Sequence, residues 1–183
     1  MLNRDTIKPA RIDEDTPPLL IVVIDTEEEF DWEGPLSRES TSTESIPTQY
    51  LAQDIFARYG VIPTYVVDYP VATSEAASRF LRGYADQGLC EIGTHLHPWV
   101  SPPHQEDVNF YNSYAGNLPA DLERAKLECL TDAINASFGQ RPVTYKAGRY
   151  GVGANTTGIL EDLGYKIDLS VVAKTWFTDD GGP

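Results

Sequence analysis

The sequence is poor in basic side chains and in long apolar runs. It has 14 lysines and arginines against 28 aspartates and glutamates, which gives a formal net charge of −14 at pH 7. A protein that binds the backbone of a nucleic acid needs a basic face, so this acidic balance excludes nucleic acid as an expected partner. The longest purely apolar run, residues 19–24, has six residues. A bilayer-spanning helix needs about 20, so we expect no membrane partner.

Cysteine is also scarce, because only Cys90 and Cys129 are present. Two thiols do not make a disulfide framework, and the N-terminal residues lack the apolar core of a secretory signal. Both features predict reduced cysteines in a cytoplasmic protein. The length of 183 residues and the hydrophobic content of 41% are typical of one globular domain with a substantial core.

The chain divides into a polar arm and one domain in which strand and helix patterns alternate. Residues 1–18 have mixed charge and contain prolines, which predicts an extended arm before a domain over 19–183. The run LLIVVI at 19–24 is typical of a strand buried on both faces. Further strands are predicted over 62–67, 89–94, 143–147 and 165–172, and helices over 47–59, 74–87, 119–138 and 154–163.

This alternation predicts an α/β fold with parallel strands joined by right-handed crossovers. Five strands in 183 residues are too few for a closed eight-stranded barrel, which typically needs about 250 residues. We therefore expect either an open sheet or an incomplete barrel. The last residues look like an interior loop, so we also expect further strands outside this chain. The connection 96–118 has no clear periodicity, which is typical of a functional loop.

Reactive side chains follow all five predicted strands. In parallel α/β folds, sites form beyond the carboxyl ends of the strands. This convergence predicts one site, and it is more specific than any single motif. The residues concerned are Asp25, Glu27, Asp68, His95, His97, Lys146, Arg149 and Asp168.

Two of these groups predict a metal centre. In extended chain Asp25 and Glu27 point the same way, and two such carboxylates repel unless a cation or a proton lies between them. His95 and His97 are likewise two residues apart, so both rings project on one side, and neutral imidazole is a common zinc ligand. His104, the third histidine of the chain, is either a spare ligand or a surface residue.

Three other features are less specific. The glycine-rich turn around Lys146 and Arg149 could bind an anion through backbone N–H groups, although its spacing is not that of a dinucleotide fingerprint. The two cations could instead hold the acidic cluster by charge. Asp168 lies in an apolar strand, where it is either an edge residue or part of the site. Three tryptophans lie in predicted loops and could stack on sugar rings: Trp32, Trp99 and Trp176.

Together these motifs resemble the polysaccharide deacetylase family, the NodB-homology domain, over residues 19–172. Ile-Asp-Thr-Glu at 24–27 is similar to the first family motif, and Glu-Ile-Gly-Thr-His-Leu-His at 91–97 is similar to the second. Residues 145–151 stand at the place of the arginine-containing third motif, and 165–172 at that of the aspartate-containing fourth. The Asp-Thr-Glu and His-Leu-His-Pro-Trp spellings resemble a divergent, WalW-like branch.

The sequence departs from the family pattern in four places. The family's first motif has two adjacent aspartates, whereas the acids here are two residues apart. The family's histidines are usually four residues apart. Here Trp99 lies four residues after His95, so His97 must be the second histidine ligand. Lys146 stands where an arginine is usual. The late leucine–histidine motif, which supplies a catalytic acid, has no counterpart before Pro183.

The resemblance implies a distorted (β/α)7 barrel and a metal-dependent hydrolase of acetylated carbohydrates. A divalent metal, usually zinc, would polarise an acetyl carbonyl and lower the pKa of bound water to about 7. His95 and His97 would be ligands. One of Asp25 and Glu27 would be the third ligand and the other the general base; motif position favours Asp25 as the base, and the reverse assignment stays open. Three further residues are expected to serve catalysis: Lys146, Arg149 and Asp168.

Two other functions are compatible with the same residues. One is an allantoinase-like hydrolase that opens a small cyclic amide, which a cytoplasmic location favours. The other is a non-catalytic carbohydrate-binding or regulatory module, which the missing last motif favours. The sequence does not determine the oligomeric state.

Overall fold

The computed structural model describes residue 8 and residues 11–183, and it contains one parallel five-stranded sheet. The strands lie in the sheet in their order along the chain, and each pairs in parallel with the next. The fold therefore has the parallel α/β organisation that the sequence predicts. The strands are β1 (Val23–Thr26), β2 (Thr64–Val67), β3 (Glu91–Leu96), β4 (Thr144–Ala147) and β5 (Ile167–Asp168).

Helices connect the successive strands, as parallel pairing requires. A helix or helix pair follows each of the first four strands. One short helix, directly after β2, was not predicted. The helices are α1 (Tyr50–Tyr59), α2 (Tyr69–Thr73), α3 (Glu75–Ala85), α4 (Ala120–Phe138) and α5 (Thr156–Asp162).

The longest helix, α4, forms much of the core. Its Leu127, Leu130 and Ile134 are fully buried and belong to the same apolar cluster as residues of the sheet. The helix ends at Gly139, which adopts a left-handed conformation with φ of 74° that disfavours residues with a Cβ. The sheet residues of this cluster include Tyr65, Val67, Ile92, Leu96, Tyr145 and Ala147.

The opposite face of the sheet carries the polar residues of the predicted site. Asp25 pairs with Val66, Val66 pairs with Gly93, and His95 pairs with Lys146. Paired residues lie on the same face, and residues two apart along a strand do so too. Asp25, His95 and Lys146 therefore share the face that does not pack against the helices.

The predicted burial of the first strand is wrong. The strand begins at Val23 rather than at residue 19, and Leu19, Leu20 and Ile21 are 75%, 75% and 77% exposed. The physical reason is position, because β1 is an outer strand of the sheet in the described part of the chain. A strand is buried on both faces only when neighbouring elements cover both of them.

Two apolar residues of the first helix are also exposed. Leu51 and Ile55 are 60% and 53% exposed. The buried residue of α1 is instead Gln53, which accepts a hydrogen bond from Tyr65 Oη at 2.9 Å and donates one to Leu89 O at 2.9 Å. The helix thus docks on the sheet through a polar contact.

Several boundaries differ from the predictions by a few residues. Strand β3 extends to Leu96, so His95 lies inside the strand and His97 directly follows it. Strand β5 has only two residues where eight were predicted. Residue 8 and residues 11–18 of the predicted arm have no helix or strand, and the rest of that arm lies outside the described residues. Within the described chain, no helix is both long and apolar enough for a membrane crossing.

Candidate metal centre

Three side chains from two strand ends meet around one carboxylate oxygen. Glu27 Oε2 lies 3.1 Å from His95 Nε2 and 3.3 Å from His97 Nε2. Glu27 follows β1 directly, while His95 and His97 belong to β3 and the residue after it. The two imidazoles are almost completely buried, and Glu27 is partly open to solvent. Their ligand atoms are close enough together to hold one metal ion.

The hydrogen bonds on the far side of both rings determine which nitrogen faces Glu27. His95 Nδ1 lies 3.0 Å from the carbonyl oxygen of Lys146, and His97 Nδ1 lies 2.8 Å from Glu28 Oε2. A carbonyl oxygen and a carboxylate accept hydrogen bonds, so each Nδ1–H donates and each neutral ring presents the lone pair of Nε2. Two lone pairs and a carboxylate oxygen therefore converge on one point.

This convergence fits a divalent cation. His97 Nε2 is buried and has no hydrogen-bond partner among the residues that the structure describes, which is uncommon for a buried polar atom. Burial lowers the pKa of His97, against the opposing charges of Glu27, Asp68 and Asp25. The ring is then neutral near pH 7 and available as a ligand. Two imidazoles with one carboxylate are also a donor set found at catalytic zinc sites.

Glu27 is suited to be the anionic member of this group. Burial opposes its ionisation, but the contacts with His95 and His97 and the positive charge of Lys146 outweigh burial and lower the pKa of Glu27. Its carboxylate is therefore charged at neutral pH. A charged oxygen between two neutral imidazoles is a strong ligand for a hard or borderline cation.

Asp25 and Lys146 lie beside this group and form an ion pair. Lys146 Nζ contacts Asp25 Oδ2, although 121 positions separate the two residues in the sequence. Both line the same cavity as Glu27, His95 and His97, and this cavity has a volume of about 190 Å³. The cavity wall is completed by Trp32, Ala147, Arg149 and Tyr150.

Arg149 lines the cavity but makes its polar contact elsewhere. Its Nη2 donates to Tyr114 Oη at 2.9 Å, and its guanidinium lies 4.0 Å from the centre of the Phe110 ring. Arg149 and Tyr150 both adopt left-handed backbone conformations, with φ of 55° and 58°. Such conformations are costly for non-glycine residues and are often found at functional sites.

Asp168 lies on the other face of the sheet. It pairs with Tyr145, whose ring belongs to the core against the helices, and it does not line the cavity. Its Oδ1 accepts hydrogen bonds from the backbone and the hydroxyl of Ser170, at 2.9 and 2.5 Å. The Asp168 carboxylate thus supports the β4–β5 junction.

Two buried acids behind His97 form a second cluster. Glu28, Asp68 and His97 offer ligand atoms within 4.8 Å of one another. Burial raises the pKa of Glu28 to about 7 and that of Asp68 well above its usual range. Sequence reasoning placed Asp68 at a strand end but gave neither acid a role. The sequence does contain one indication for Glu28. It directly follows Glu27, so in an extended chain its side chain points to the opposite side from that of Glu27.

The remaining histidine and tryptophans are distributed around the site. His104 belongs to neither cluster of potential metal ligands in the described chain. Trp99 is buried and stacks on the His97 ring with 4.2 Å between ring centroids. Trp32 is 62% exposed at the cavity, and Trp176 is exposed but does not line it.

Alanine at Gly148 is expected to weaken metal binding by about 10–100-fold, the usual cost of disturbing the support of a ligand. An added Cβ would lie 2.5 Å from His97 Cδ2 and 2.5 Å from Leu96 O, so the ring must shift. Gly158→Ala is the matched control because its Cβ meets nothing within 4 Å. Titration with Zn²⁺ measures both variants, and equal affinities would contradict the close packing of His97.

The comparisons with known proteins show a similarity in fold. No family model matches the sequence, and no curated protein is significantly similar to it. Several solved structures are similar. One is the chitin deacetylase of the fungal pathogen Colletotrichum lindemuthianum, with a TM-score of 0.51 and 18% identity over 81% of this chain and 54% of that chain.

Two other structures have comparable likeness. The Xyl-CE4 domain of a multidomain xylanase from the hindgut metagenome of Trinervitermes trinervoides has a TM-score of 0.52 and 20% identity, over 80% of this chain and 55% of that chain. A CE4 family pseudoenzyme from Bacillus anthracis has a TM-score of 0.50 and 16% identity, over 80% of this chain and 42% of that chain. The present chain thus spans about half the length of these structures, and it has a partial form of the (β/α) barrel fold of CE4 deacetylases.

Proposed function

We propose that this chain carries the metal site of a hydrolase that removes acetyl groups from an acetylated carbohydrate. The observation that carries the proposal is the convergence of two imidazole lone pairs and the Glu27 carboxylate, in which His97 Nε2 is buried and has no hydrogen-bond partner within the described part of the chain. The likeness in fold to CE4 deacetylases supports this substrate class. The motifs Asp-Thr-Glu and His-Leu-His-Pro-Trp favour the WalW-like branch of the deacetylase family.

His95, His97 and Glu27 would hold a divalent metal, and we propose zinc from the nitrogen-rich donor set. Such an ion polarises the acetyl carbonyl and makes a water molecule more acidic. The geometry favours Glu27 over Asp25 as the third ligand, because Glu27 contacts both histidines while Asp25 is paired with Lys146.

Asp25 is then the general base. In hydrolysis, water adds to the acetyl carbon and its proton passes to a carboxylate oxygen of Asp25. The bond from the acetyl carbon to nitrogen or oxygen breaks, and the proton passes to the leaving amine or hydroxyl. Acetate and a deacetylated sugar result. Lys146 holds the Asp25 carboxylate in place at the cavity, and Arg149 contributes positive charge to the same wall.

The cavity is adapted to a small reacting group. Its volume of about 190 Å³ admits an acetyl arm, while the sugar ring would remain at the mouth. Trp32, exposed at that mouth, offers an aromatic face for stacking on a sugar ring. This arrangement favours an acetylated carbohydrate over a compact cyclic amide.

Asparagine at Asp25 is expected to lower acetate release by about 100-fold or more while zinc binding is retained, because the base is lost and the ligands are not. Acetate release from N- and O-acetylated oligosaccharides measures the first effect, and elemental analysis measures the second. Asp31→Asn is the matched control, since Asp31 lies exposed in the loop that follows β1 and does not line the cavity. Unchanged turnover in the Asp25 variant would contradict the assignment.

A second candidate is a non-catalytic carbohydrate-binding module. The observation that favours it is the likeness to a CE4 family pseudoenzyme. Zinc binding together with sugar binding, but with no acetate release from any acetylated oligosaccharide, would establish this function instead.

A further inference from the structure

We propose that Glu28 and Asp68 act as a positioning relay that orients His97 and strengthens it as a metal ligand. The inference rests on the proposed metal site and extends it to two residues that contact none of the reacting atoms. The relay joins the ends of three strands, because Glu28 follows β1, Asp68 follows β2 and His97 follows β3.

The first link runs from the imidazole to Glu28. His97 Nδ1 lies 2.8 Å from Glu28 Oε2, and both side chains are completely buried. A hydrogen bond from Nδ1–H to a carboxylate keeps the proton on Nδ1 and leaves the Nε2 lone pair free. That lone pair faces Glu27 Oε2 at 3.3 Å.

The second link holds Glu28 in position. The backbone N–H of Glu28 donates to Asp68 Oδ2 at 2.8 Å, and the backbone N–H of Val71 donates to Asp68 Oδ1 at 2.9 Å. Asp68 also donates its own backbone N–H to Thr26 O at 3.2 Å. One fully buried side chain therefore caps α2 and fixes the chain that carries Glu28.

Aromatic neighbours complete the orientation of the His97 ring. Trp99 stacks on the ring at 4.2 Å between centroids and an interplanar angle of 24°. Phe30 approaches at 5.6 Å in an edge-to-face arrangement with an angle of 88°. The ring is thus confined by its aromatic neighbours, and Glu28 determines which nitrogen points to the metal site.

Asp68 has a structural role as the cap of α2, but a purely structural role does not explain Glu28. Burial of two adjacent carboxyl groups is costly, and apolar side chains would fill the same space at lower cost. A carboxylate behind a ligating imidazole makes that imidazole a stronger donor, and loss of such a partner typically lowers metal affinity by about 10–100-fold. The burial of Glu28 is therefore accounted for by an effect on the ligand.

The test compares Glu28→Ala and Glu28→Gln with Glu29→Gln in the full chain. Glu29 is the adjacent carboxylate, but it is exposed and bonds Ser42 and Ser45 instead of a histidine. Competition with a chromophoric chelator measures Zn²⁺ affinity. We expect a loss of about 10–100-fold for Glu28→Ala, a smaller loss for Glu28→Gln, whose amide oxygen still accepts from Nδ1–H, and no change for Glu29→Gln.

A second measurement is independent of metal. Nitrogen-15 NMR of the metal-free chain reports which ring nitrogen of His97 is protonated, and a chain with three histidines gives few signals to assign. We expect protonated Nδ1 in the wild type and in Glu28→Gln, and a mixture of tautomers in Glu28→Ala. Circular dichroism shows whether Glu28→Ala folds. If it does not, the isosteric Glu28→Gln is sufficient for the test: the relay predicts a lower Zn²⁺ affinity for this variant and an unchanged tautomer of His97.

The outcomes separate this inference from the proposed function. Unchanged zinc affinity in both Glu28 variants would overturn the relay while the metal site stands. A wild-type chain that binds no zinc would overturn the proposed function, and the tautomer of His97 in the metal-free protein would still decide whether Glu28 orients the ring.

Discussion

Replacement of His95 by alanine is expected to abolish stoichiometric zinc binding. The imidazole supplies one of three donors. Its Nε2 lies 3.1 Å from Glu27 Oε2, and both atoms would bind the same ion. The two remaining donors are one short of the three protein ligands of catalytic zinc sites. Elemental analysis of the purified chain after dialysis against zinc-free buffer measures the effect.

His104→Ala is the matched control for this experiment. It removes the same side chain from the long loop, where His104 belongs to neither ligand cluster of the described chain. We expect full zinc content in His104→Ala and loss in His97→Ala, as in His95→Ala. Zinc that persists in the His95 variant, or that disappears in the His104 variant, would show that the ion is held elsewhere.

Replacement of Lys126 by methionine is expected to destabilise the protein by about 3–5 kcal/mol, the usual cost of breaking a buried ion pair. Lys126 is completely buried and lies 3.0 Å from Glu106 Oε1. Its Nζ also donates to the carbonyl oxygens of Pro98, Ser101 and Pro103, at 2.9, 2.6 and 2.9 Å. Methionine fills a similar volume but leaves these acceptors buried and unpaired.

The loss is large because a domain of this kind is stable by only about 5–15 kcal/mol. The lysine ties helix α4 to the loop that begins after His97, so the same substitution loosens the segment that carries Trp99, which stacks on the His97 ring. Urea denaturation followed by circular dichroism measures the free energy of unfolding of the metal-free chain.

Arg124→Met provides the comparison on the same helix. Arg124 pairs with Asp162 at 2.5 Å, but both side chains are substantially exposed, and exposed pairs contribute about 0.2–1 kcal/mol. A similar destabilisation in both variants would contradict the assignment of Lys126 as the anchor of the loop.

The sequence was informative where local patterns carry the signal. Alternating strands and helices follow from hydrophobic periodicity, which depends on residues within one element. The ligands follow from the same principle, because His95 and His97 are two apart in extended chain and so project together. Parallel strands bring their carboxyl ends to one edge, and the structure brings Glu27 to both histidines there.

The tertiary structure decided what depends on register and on position in the sheet. Asp168 is at a strand end as expected, but its pairing with Tyr145 turns it to the face opposite Lys146. The run at 19–24 has the composition of a buried strand, yet its first three residues precede an outer strand and are exposed. Neither outcome is contained in local periodicity, since a shift of one residue in register reverses the face of every side chain.

Contacts between residues far apart in the chain were likewise decided only by folding. By sequence alone, Lys146 was one of two cations able to pair with the acids, and Glu28 was one of five acids in a short run. In the folded chain Lys146 pairs with Asp25, which is 121 positions away in the sequence, and Glu28 bonds His97, which is 69 positions away. Local sequence determined which chemical groups reach this edge of the sheet, whereas their pairing depended on distances that exist only once the strands are assembled.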